Sequence, residues 1–580
     1  MKLSDFIVEF LEQNKITSVF ELSGGSIIHI LDSLHKKKKI GIISMHHEQA
    51  AAIAAEGFAR SKGSIGVAMA TSGPGATNMI TGIASCFFDS IPCVFITGQV
   101  NTYEFKFSKP VRQIGFQETD IVSIVRPIVK YAQLVSEPNK IRYYLEKAFY
   151  LAREGRSGPV LLDIPMNIQR SNIIPKRLKP FKKPVIRKNR YDINTKIQES
   201  IKALSLSSRP VILAGGGVNL SNARKDLKSF VEKTGIPVVT SLMGIDAFPH
   251  NNRFFCGMLG VYGNRYANLT VANSDLILAL GTRLDTRQTG TNPKTFARNA
   301  KIIHVDIDKN ELNNKVRADI AIETDIKVFL TALNKTLKKF DKTKLAEWQK
   351  RISDYKKNYP SFLLPKKTHI NPNFFINKLS GFLPDNAIIC ADIGQNQIWT
   401  AQSILLKENM RFLTQGGMGA MGSALPMAVG ASFAYPKKTI IAICGDGGFQ
   451  LNSQELETIY HHNLPVKIII INNSCYGMVR QFQKQYFNSV FQSTVIGYSS
   501  PDFRKLAMAY KIKALKITVN SQISKACKWL FKDAKPALLE VKIPSHIQVF
   551  PKLSVGRPIE DQDPLLPRNE FKTLIIKGNK

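Results

Sequence analysis

The stretch "SIGVAMATSGPGATNMITGIASCFFDSIPCVFITGQ", residues 64–99, decides the fold. It opens as an apolar run that breaks in the glycine turn Gly73-Pro74-Gly75. Apolar residues then recur at helical spacing through 76–90, and "IPCVFITGQ" (91–99) is strand-like again. Strand, helix, strand is the signature of a parallel sheet built from βαβ units.

Working outward, "GPVLLDIP" (158–165) reads as the last strand of this unit, and the Lys/Pro-rich stretch 171–190 as a linker. A second α/β unit opens with "RPVILAGGGV" (209–218) and continues through "SDLILALGTRLDTR" (274–287) and "AKIIHVDID" (300–308). The Lys-rich helical stretch near 337–358 and "SFLLPKKTHINP" (361–372) mark a second boundary. The third unit has "NAIICADIG" (386–394), "TIIAICGDG" (439–447), "PVKIIIINN" (465–473) and "ALLEVKI" (537–543) as strands. The expected class is α/β: three doubly wound parallel-sheet domains over 1–170, 190–340 and 370–550, then a tail over 551–580.

Bulk properties narrow the function classes. A chain of 580 residues is too long for one core. A formal charge of +36 is compatible with nucleic-acid or anionic-membrane binding. The excess is mostly lysine spread along the chain, with no RNA-binding aromatic signature, zinc finger or helix-turn-helix, so solvated surface lysine is favoured. No apolar run is long enough to span a bilayer. The N-terminus carries Asp5, Glu9 and Glu12 among helically spaced apolar residues and is not a signal peptide. The seven cysteines are scattered without a CxxC pair, as expected of reduced thiols in a cytosolic protein.

The chemistry gathers around "TIIAICGDGGFQ" (439–450). A buried strand ends in Gly445-Asp446-Gly447-Gly448, and the next apolar strand ends in Asn472-Asn473. Ligands of such sheets bind at the carboxyl ends of strands. Neighbouring strands would bring Asp446 and Asn473 to one sheet edge. A carboxylate and an amide oxygen suit Mg²⁺, which completes its octahedron with phosphate oxygens and water. A backbone carbonyl near Cys475 could add a ligand, and a helix N-terminus after Gly447 favours phosphate.

This arrangement resembles the diphosphate motif of thiamine diphosphate (ThDP) enzymes. Such enzymes need a glutamate facing N1′ of the aminopyrimidine, and "MHHEQAAAIAAEGFARSKG" (45–63) looks like their glutamate helix, which puts that proton-relay role on Glu48. Residues 71–100, "DIGQNQIW" (392–399) and "GGMGAMGSALPMAVGA" (416–431) resemble the acetolactate (acetohydroxyacid) synthase group of the family. By that resemblance Gly419 accepts the 4′-amino group and Met421 wedges the cofactor into its bent shape. Gln395 and Asn396 lie near the diphosphate, and Met478 belongs to the cofactor contacts.

The resemblance implies decarboxylation of a 2-oxo acid such as pyruvate and transfer of the two-carbon unit to a second carbonyl. It also implies at least a homodimer, or a homotetramer, and leaves room for a regulatory small subunit. The middle domain of acetolactate synthases binds FAD without net redox change. Gly215, Gly216, Gly217, Arg283, Arg287 and Asp306 stand where those contacts fall. On the substrate side the group's pattern implicates Gly24, Phe116, Gln117, Met166 and Phe482. The chain departs from the group at several of these: Ser23 precedes Gly24-Gly25, Met166 replaces a lysine, Phe482 replaces a tryptophan, and 101–115 differs from the usual short loop. These departures bear on the acceptor and leave the ThDP machinery whole. The tail 555–571 is similar to acetolactate-synthase-like proteins of surface-sugar biosynthesis, so a nucleotide-linked keto sugar is an alternative acceptor. A simple 2-oxo-acid decarboxylase is another alternative.

Overall fold

A computed structural model describes residues 1–184, 190–362, 364 and 369–576. The first unit contains strands β1 (Ser18–Leu22), β2 (Gly41–Ser44), β3 (Gly66–Ala70), β4 (Cys93–Gln99), β5 (Tyr131–Leu134) and β6 (Val160–Pro165). They form one parallel sheet in the order β2-β1-β3-β4-β6-β5. The stretch 64–99 supplies β3 and β4, joined by helices Pro74–Asn78 and Ile80–Phe88. Both strands are buried throughout, which is why they read as unbroken apolar runs rather than alternating ones.

The second unit contains β7 (Pro210–Ala214), β8 (Val238–Thr240), β9 (Phe255–Met258), β10 (Leu276–Leu280), β11 (Lys301–Asp306) and β12 (Ile320–Glu323). Their order is β12-β11-β10-β7-β8-β9, the strand order of dinucleotide-binding sheets. The third contains β13 (Ile388–Ala391), β14 (Arg411–Leu413), β15 (Ile440–Gly445), β16 (Val466–Asn472), β17 (Lys513–Ile517) and β18 (Ala537–Lys542). Its order, β14-β13-β15-β16-β18-β17, repeats the topology of the first sheet.

Two stretches read as connections are packed. In 171–184, Ile173 and Leu178 are buried in the core of the first unit; residues 185–189 lie outside the described residues. The Lys-rich helix Ala346–Asn358 buries Trp348, Ile352 and Tyr355 against the second sheet, exposes Lys350 and Lys357, and donates from Lys356 to the Phe255 carbonyl. The tail also docks on the second unit: Asn268 donates to the Ile559 carbonyl, and Gln562 to that of Gly263.

The first and third units meet through helices Glu48–Lys62 and Ala424–Ala434, both buried along nearly their whole length. Glycine permits the close approach. A Cβ on Gly430 would stand 1.9 Å from the Ala54 carbonyl oxygen, and one on Gly57 would stand 2.3 Å from that of Met427. Among the described residues, no helix is long and apolar enough to cross a membrane. All seven cysteines are free and buried.

Candidate cofactor site

The strands that carry the acid and the amide are hydrogen-bonded neighbours, with Gly445 opposite Ile471. Asp446 and Asn473 therefore leave the sheet side by side at its carboxyl edge. A short helix starts at Asp446 itself and runs to Gln450, two residues earlier than a start after Gly447 and separate from the helix Glu455–His461. Asp446 is buried, and burial pushes its carboxyl up to about 6, while the Tyr498 hydroxyl and backbone N–H groups pull it back. That hydroxyl donates to Oδ2 of Asp446 at 2.6 Å.

Asn473 accepts from the Cys475 N–H at 3.2 Å and donates to Oε1 of Gln395 at 3.0 Å. Gln395 in turn donates to Oε1 of Gln481. A Cβ on Gly477 would stand 2.0 Å from Oε1 of Gln395, so a glycine there lets this network close. A Cβ on Gly447 would meet the Tyr476 ring at 2.4 Å, and one on Gly448 would meet Oδ2 of Asp392 at 2.2 Å. The thiol of Cys475 points to the Ser545 carbonyl, and burial pushes it up to about 11, which leaves the backbone carbonyl as its candidate oxygen. Asn396 spends its side-chain amide on the carbonyls of Asp392 and Ile443, bracing the ends of β13 and β15.

The other wall of the site is the irregular segment 414–423. Gly419 has φ +68°, and Met421 is half-buried. Asp392, at the end of β13, accepts from the N–H groups of Gly422 and Ser423 and holds the end of this segment. Met478 packs on the core of the third unit.

Glu48 is the first residue of its helix, which His47 caps by accepting from the Gln49 N–H at 3.0 Å. The carboxylate is buried, and its Oε2 accepts from Nδ2 of Asn78 at 2.9 Å. Among the described residues, no hydrogen bond joins Glu48 or Asn78 to the turn at Asp446 and Asn473.

The donor set fits Mg²⁺. Asp446 and Asn473 offer hard oxygens on one edge, and among the described residues no group of three or more His, Cys, Asp and Glu could hold a metal unaided. A cation here needs oxygens from a bound phosphate, as Mg²⁺ does. The glycine cradle, too tight for any side chain, fits a diphosphate.

Family models for the thiamine pyrophosphate enzymes match residues 1–124 (N-terminal TPP binding domain), 197–333 (central domain) and 392–541 (C-terminal TPP binding domain). The chain belongs to the thiamine pyrophosphate enzyme family. Among curated relatives of this ThDP enzyme is acetolactate synthase 1, chloroplastic, of Nicotiana tabacum, 38% identical over 574 residues, covering 97% of this chain and 84% of that protein. The acetolactate synthase large subunit of Lactococcus lactis is 36% identical over 553 residues, covering 95% and 94%. The chloroplastic acetolactate synthase of Arabidopsis thaliana is 37% identical over 574 residues, covering 97% and 84%. The chain is thus an acetolactate-synthase-like ThDP enzyme.

In the second unit, a cleft partly open to solvent lies at the carboxyl ends of β8, β9 and β10. Arg283, Arg287, Met243 and Tyr262 line it, with Ile398 and Gly416 of the third unit. Two guanidinium groups in a cleft beside a sheet of this order suit a dinucleotide pyrophosphate. The glycines also pack against the neighbouring strand end. A Cβ on Gly215 would stand 2.1 Å from the Gly281 carbonyl oxygen, and one on Gly217 would stand 2.7 Å from the Gly281 Cα. Backbone packing between the ends of β7 and β10 accounts for both. Gly216 stands behind Met243, and Asp306 is not among the lining residues.

Of the residues assigned to the acceptor, Gly24 and Gln117 both abut the turn at 71–73. Gly24 packs against Thr71. Met166 is half-buried at the start of a four-residue helix. Phe482 is exposed and tilted on Tyr486 and Phe487. Phe116 is 86% exposed, and Gln117 has φ +64° and abuts Gly73. The sequence reading missed Glu118, which accepts from the N–H groups of Lys106, Ile114 and Gly115 and so anchors the divergent loop. It also missed Tyr498, which no spacing rule connects to Asp446. A buried glutamate next to the Phe-Gln pair was the available signal for the first.

Proposed function

We propose that the chain is a ThDP- and Mg²⁺-dependent carboligase. It decarboxylates pyruvate and transfers the two-carbon unit to a second carbonyl, two pyruvates giving 2-acetolactate and CO₂. The observation that carries this reading is the pairing of Asp446 with Asn473 on adjacent strands, in a chain whose relatives are acetolactate synthases along nearly its full length. ThDP, when bound, supplies a nucleophilic carbon and an electron sink. The chain's residues hold and orient it. Asp446, Asn473 and the Cys475 carbonyl hold Mg²⁺. Gly445, Gly447 and Gly448 admit the diphosphate beside the N–H groups at the start of the following helix, with Gln395 ordering Asn473. Glu48 exchanges a proton with N1′ of the pyrimidine, its carboxylate oriented by Asn78. Gly419 receives the 4′-amino group, and Met421 fills the bend.

By its likeness to the acetolactate synthases, each complete site joins Glu48 of one copy to Asp446 of another, in a homodimer or a homotetramer. FAD occupies the cleft at Arg283 and Arg287. The Lactococcus relative is called a large subunit, which leaves room for a regulatory small subunit here.

A second acceptor is favoured by one observation. The loop 101–118 exposes Tyr103, Phe107 and Phe116 together with Lys109 and Arg112. Aromatic faces interleaved with cations suit a nucleotide-linked keto sugar. Product analysis by NMR separates the readings. Pyruvate alone yields acetolactate in the first and a new adduct only with the sugar in the second; acetaldehyde as sole product would contradict carboligation.

A further inference from the structure

The segment that carries Gly419 and Met421 is held from outside its own domain. Arg60, near the end of the Glu48–Lys62 helix, donates from Nε to Oε1 of Glu56 at 2.8 Å and from a terminal nitrogen to Oδ2 of Asp89 at 2.6 Å. All three side chains are buried. One guanidinium between two carboxylates leaves an excess negative charge in a dry place, which is costly unless donors surround it. The third unit provides them. Asp89 accepts from the N–H of Gly416 at 3.0 Å and from that of Gly417 at 2.8 Å. Glu56 accepts from Nε2 of Gln415 at 2.9 Å, and Oε1 of the same glutamine accepts from the Ala420 N–H at 3.1 Å.

The segment is therefore anchored by carboxylates at both ends. Asp89 of the first unit holds Gly416 and Gly417, and Asp392 of the third holds Gly422 and Ser423. Met418 to Met421 are suspended between them. A Cβ on Gly417 would stand 2.3 Å from Cβ of Phe88, so the segment lies directly on the end of the Ile80–Phe88 helix. The Arg60 carbonyl also accepts from Arg411, which pairs at 2.7 Å with buried Asp246 of the second unit. All three units meet here.

We propose that Glu56, Arg60 and Asp89 are positioning residues that clamp the 415–421 segment, so that the first domain of a chain sets the affinity of its own third domain for ThDP. This rests on the ThDP reading above. The triad lies in the same chain as the loop it holds, whereas Glu48 serves the site of another copy. One helix thereby couples two sites: its start supplies an acid to one, and its end braces the loop of the other.

The test uses purified full-length protein and two readouts that need no turnover. Hydrogen–deuterium exchange follows the amides of 416 and 417, and calorimetry with Mg²⁺ present gives the ThDP dissociation constant. Asp89→Asn is expected to lose protection at 416–417 and to weaken ThDP binding about ten- to a hundredfold, the worth of a hydrogen bond to a charged group. Arg60→Lys, which keeps the charge, serves if Asp89→Asn fails to fold, and is expected to do the same to a smaller degree. Arg156→Gln removes another inter-domain ionic contact, to Asp308 and Glu311, and is expected to change neither readout. Unchanged protection in Asp89→Asn overturns the clamp. Lost protection with unchanged ThDP affinity overturns its link to the cofactor, as does an equal loss of affinity in Arg156→Gln. Wild-type protein that binds no ThDP, while Asp89→Asn still loses protection, overturns the ThDP reading and the cofactor part of this inference but not the clamp.

Discussion

The hydroxyl of Tyr498 donates to Oδ2 of Asp446 at 2.6 Å, across 52 residues of chain. It fixes the carboxylate's rotation while leaving lone pairs for a cation. Groups that orient a metal ligand in this way typically contribute tenfold or more to metal affinity. Tyr498→Phe is expected to raise the Mg²⁺ concentration for half-maximal ThDP binding about tenfold, read by calorimetric titration. An unchanged Mg²⁺ requirement would place Tyr498 outside the metal site.

Asn78 stands to Glu48 as Tyr498 stands to Asp446. Its amide is the one side-chain donor to that buried carboxylate among the described residues. Asn78→Ala is expected to lower kcat for CO₂ release about tenfold, since one charge-assisted hydrogen bond at the relay atom is lost. The pyruvate KM should stay near wild type. A large KM change with normal kcat would move Asn78 to the substrate pocket.

The helix pair that joins the first and third units tolerates no added carbon at its crossing. Gly430→Ala forces a Cβ to 1.9 Å from a backbone oxygen, which only a shift of both helices relieves. The expected cost is about 3 kcal/mol, at the upper end for overpacking. Gly63→Ala, at the end of the partner helix Glu48–Lys62, meets nothing within 4 Å but sits at φ +67°. Its expected cost is about 1 kcal/mol, from the left-handed backbone alone. Urea unfolding of both variants checks the order, and equal losses would contradict it.

Much of this was legible in the sequence, and the reasons are local. Parallel strands buried on both faces must be apolar runs, so 64–99 and 439–447 announce themselves. Asp446 and Asn473 could be paired because their strands are sequential and adjacent. The Glu56–Arg60–Asp89 triad was not legible, though each member lies in a quoted stretch. An acid four residues from an arginine on a helix reads as an ordinary surface pair; only the packing of the 415–421 segment buries it. The Ala346–Asn358 stretch was legible as a helix, but its packing was obscured by its lysines, while Trp348, Ile352 and Tyr355 anchor the buried face.

Asp163, at the end of β6, gives a pH signature. Burial pushes its carboxyl up to about 7, against donation from Thr97 and Gln99, which pulls it down. In the unfolded chain the group titrates near 4, about the usual aspartate value. Between those values the fold holds a proton that the unfolded chain has released. The group's stabilising contribution is therefore full below about pH 4 and is lost as pH rises through about 7. Asp163→Asn is expected to flatten the fall in Tm between pH 5 and pH 8, roughly the upper part of that window. A fall as steep as wild type would assign the pH dependence to other groups.

Carboxyl-labelled pyruvate, followed with purified protein, Mg²⁺ and ThDP, reports on the carboligase chemistry itself. Labelled CO₂ is expected to require ThDP and to disappear in Glu48→Gln, although that variant still binds the cofactor. Turnover by Glu48→Gln at the wild-type rate, or no ThDP-dependent release from wild-type protein with pyruvate and the candidate acceptors, would contradict that chemistry.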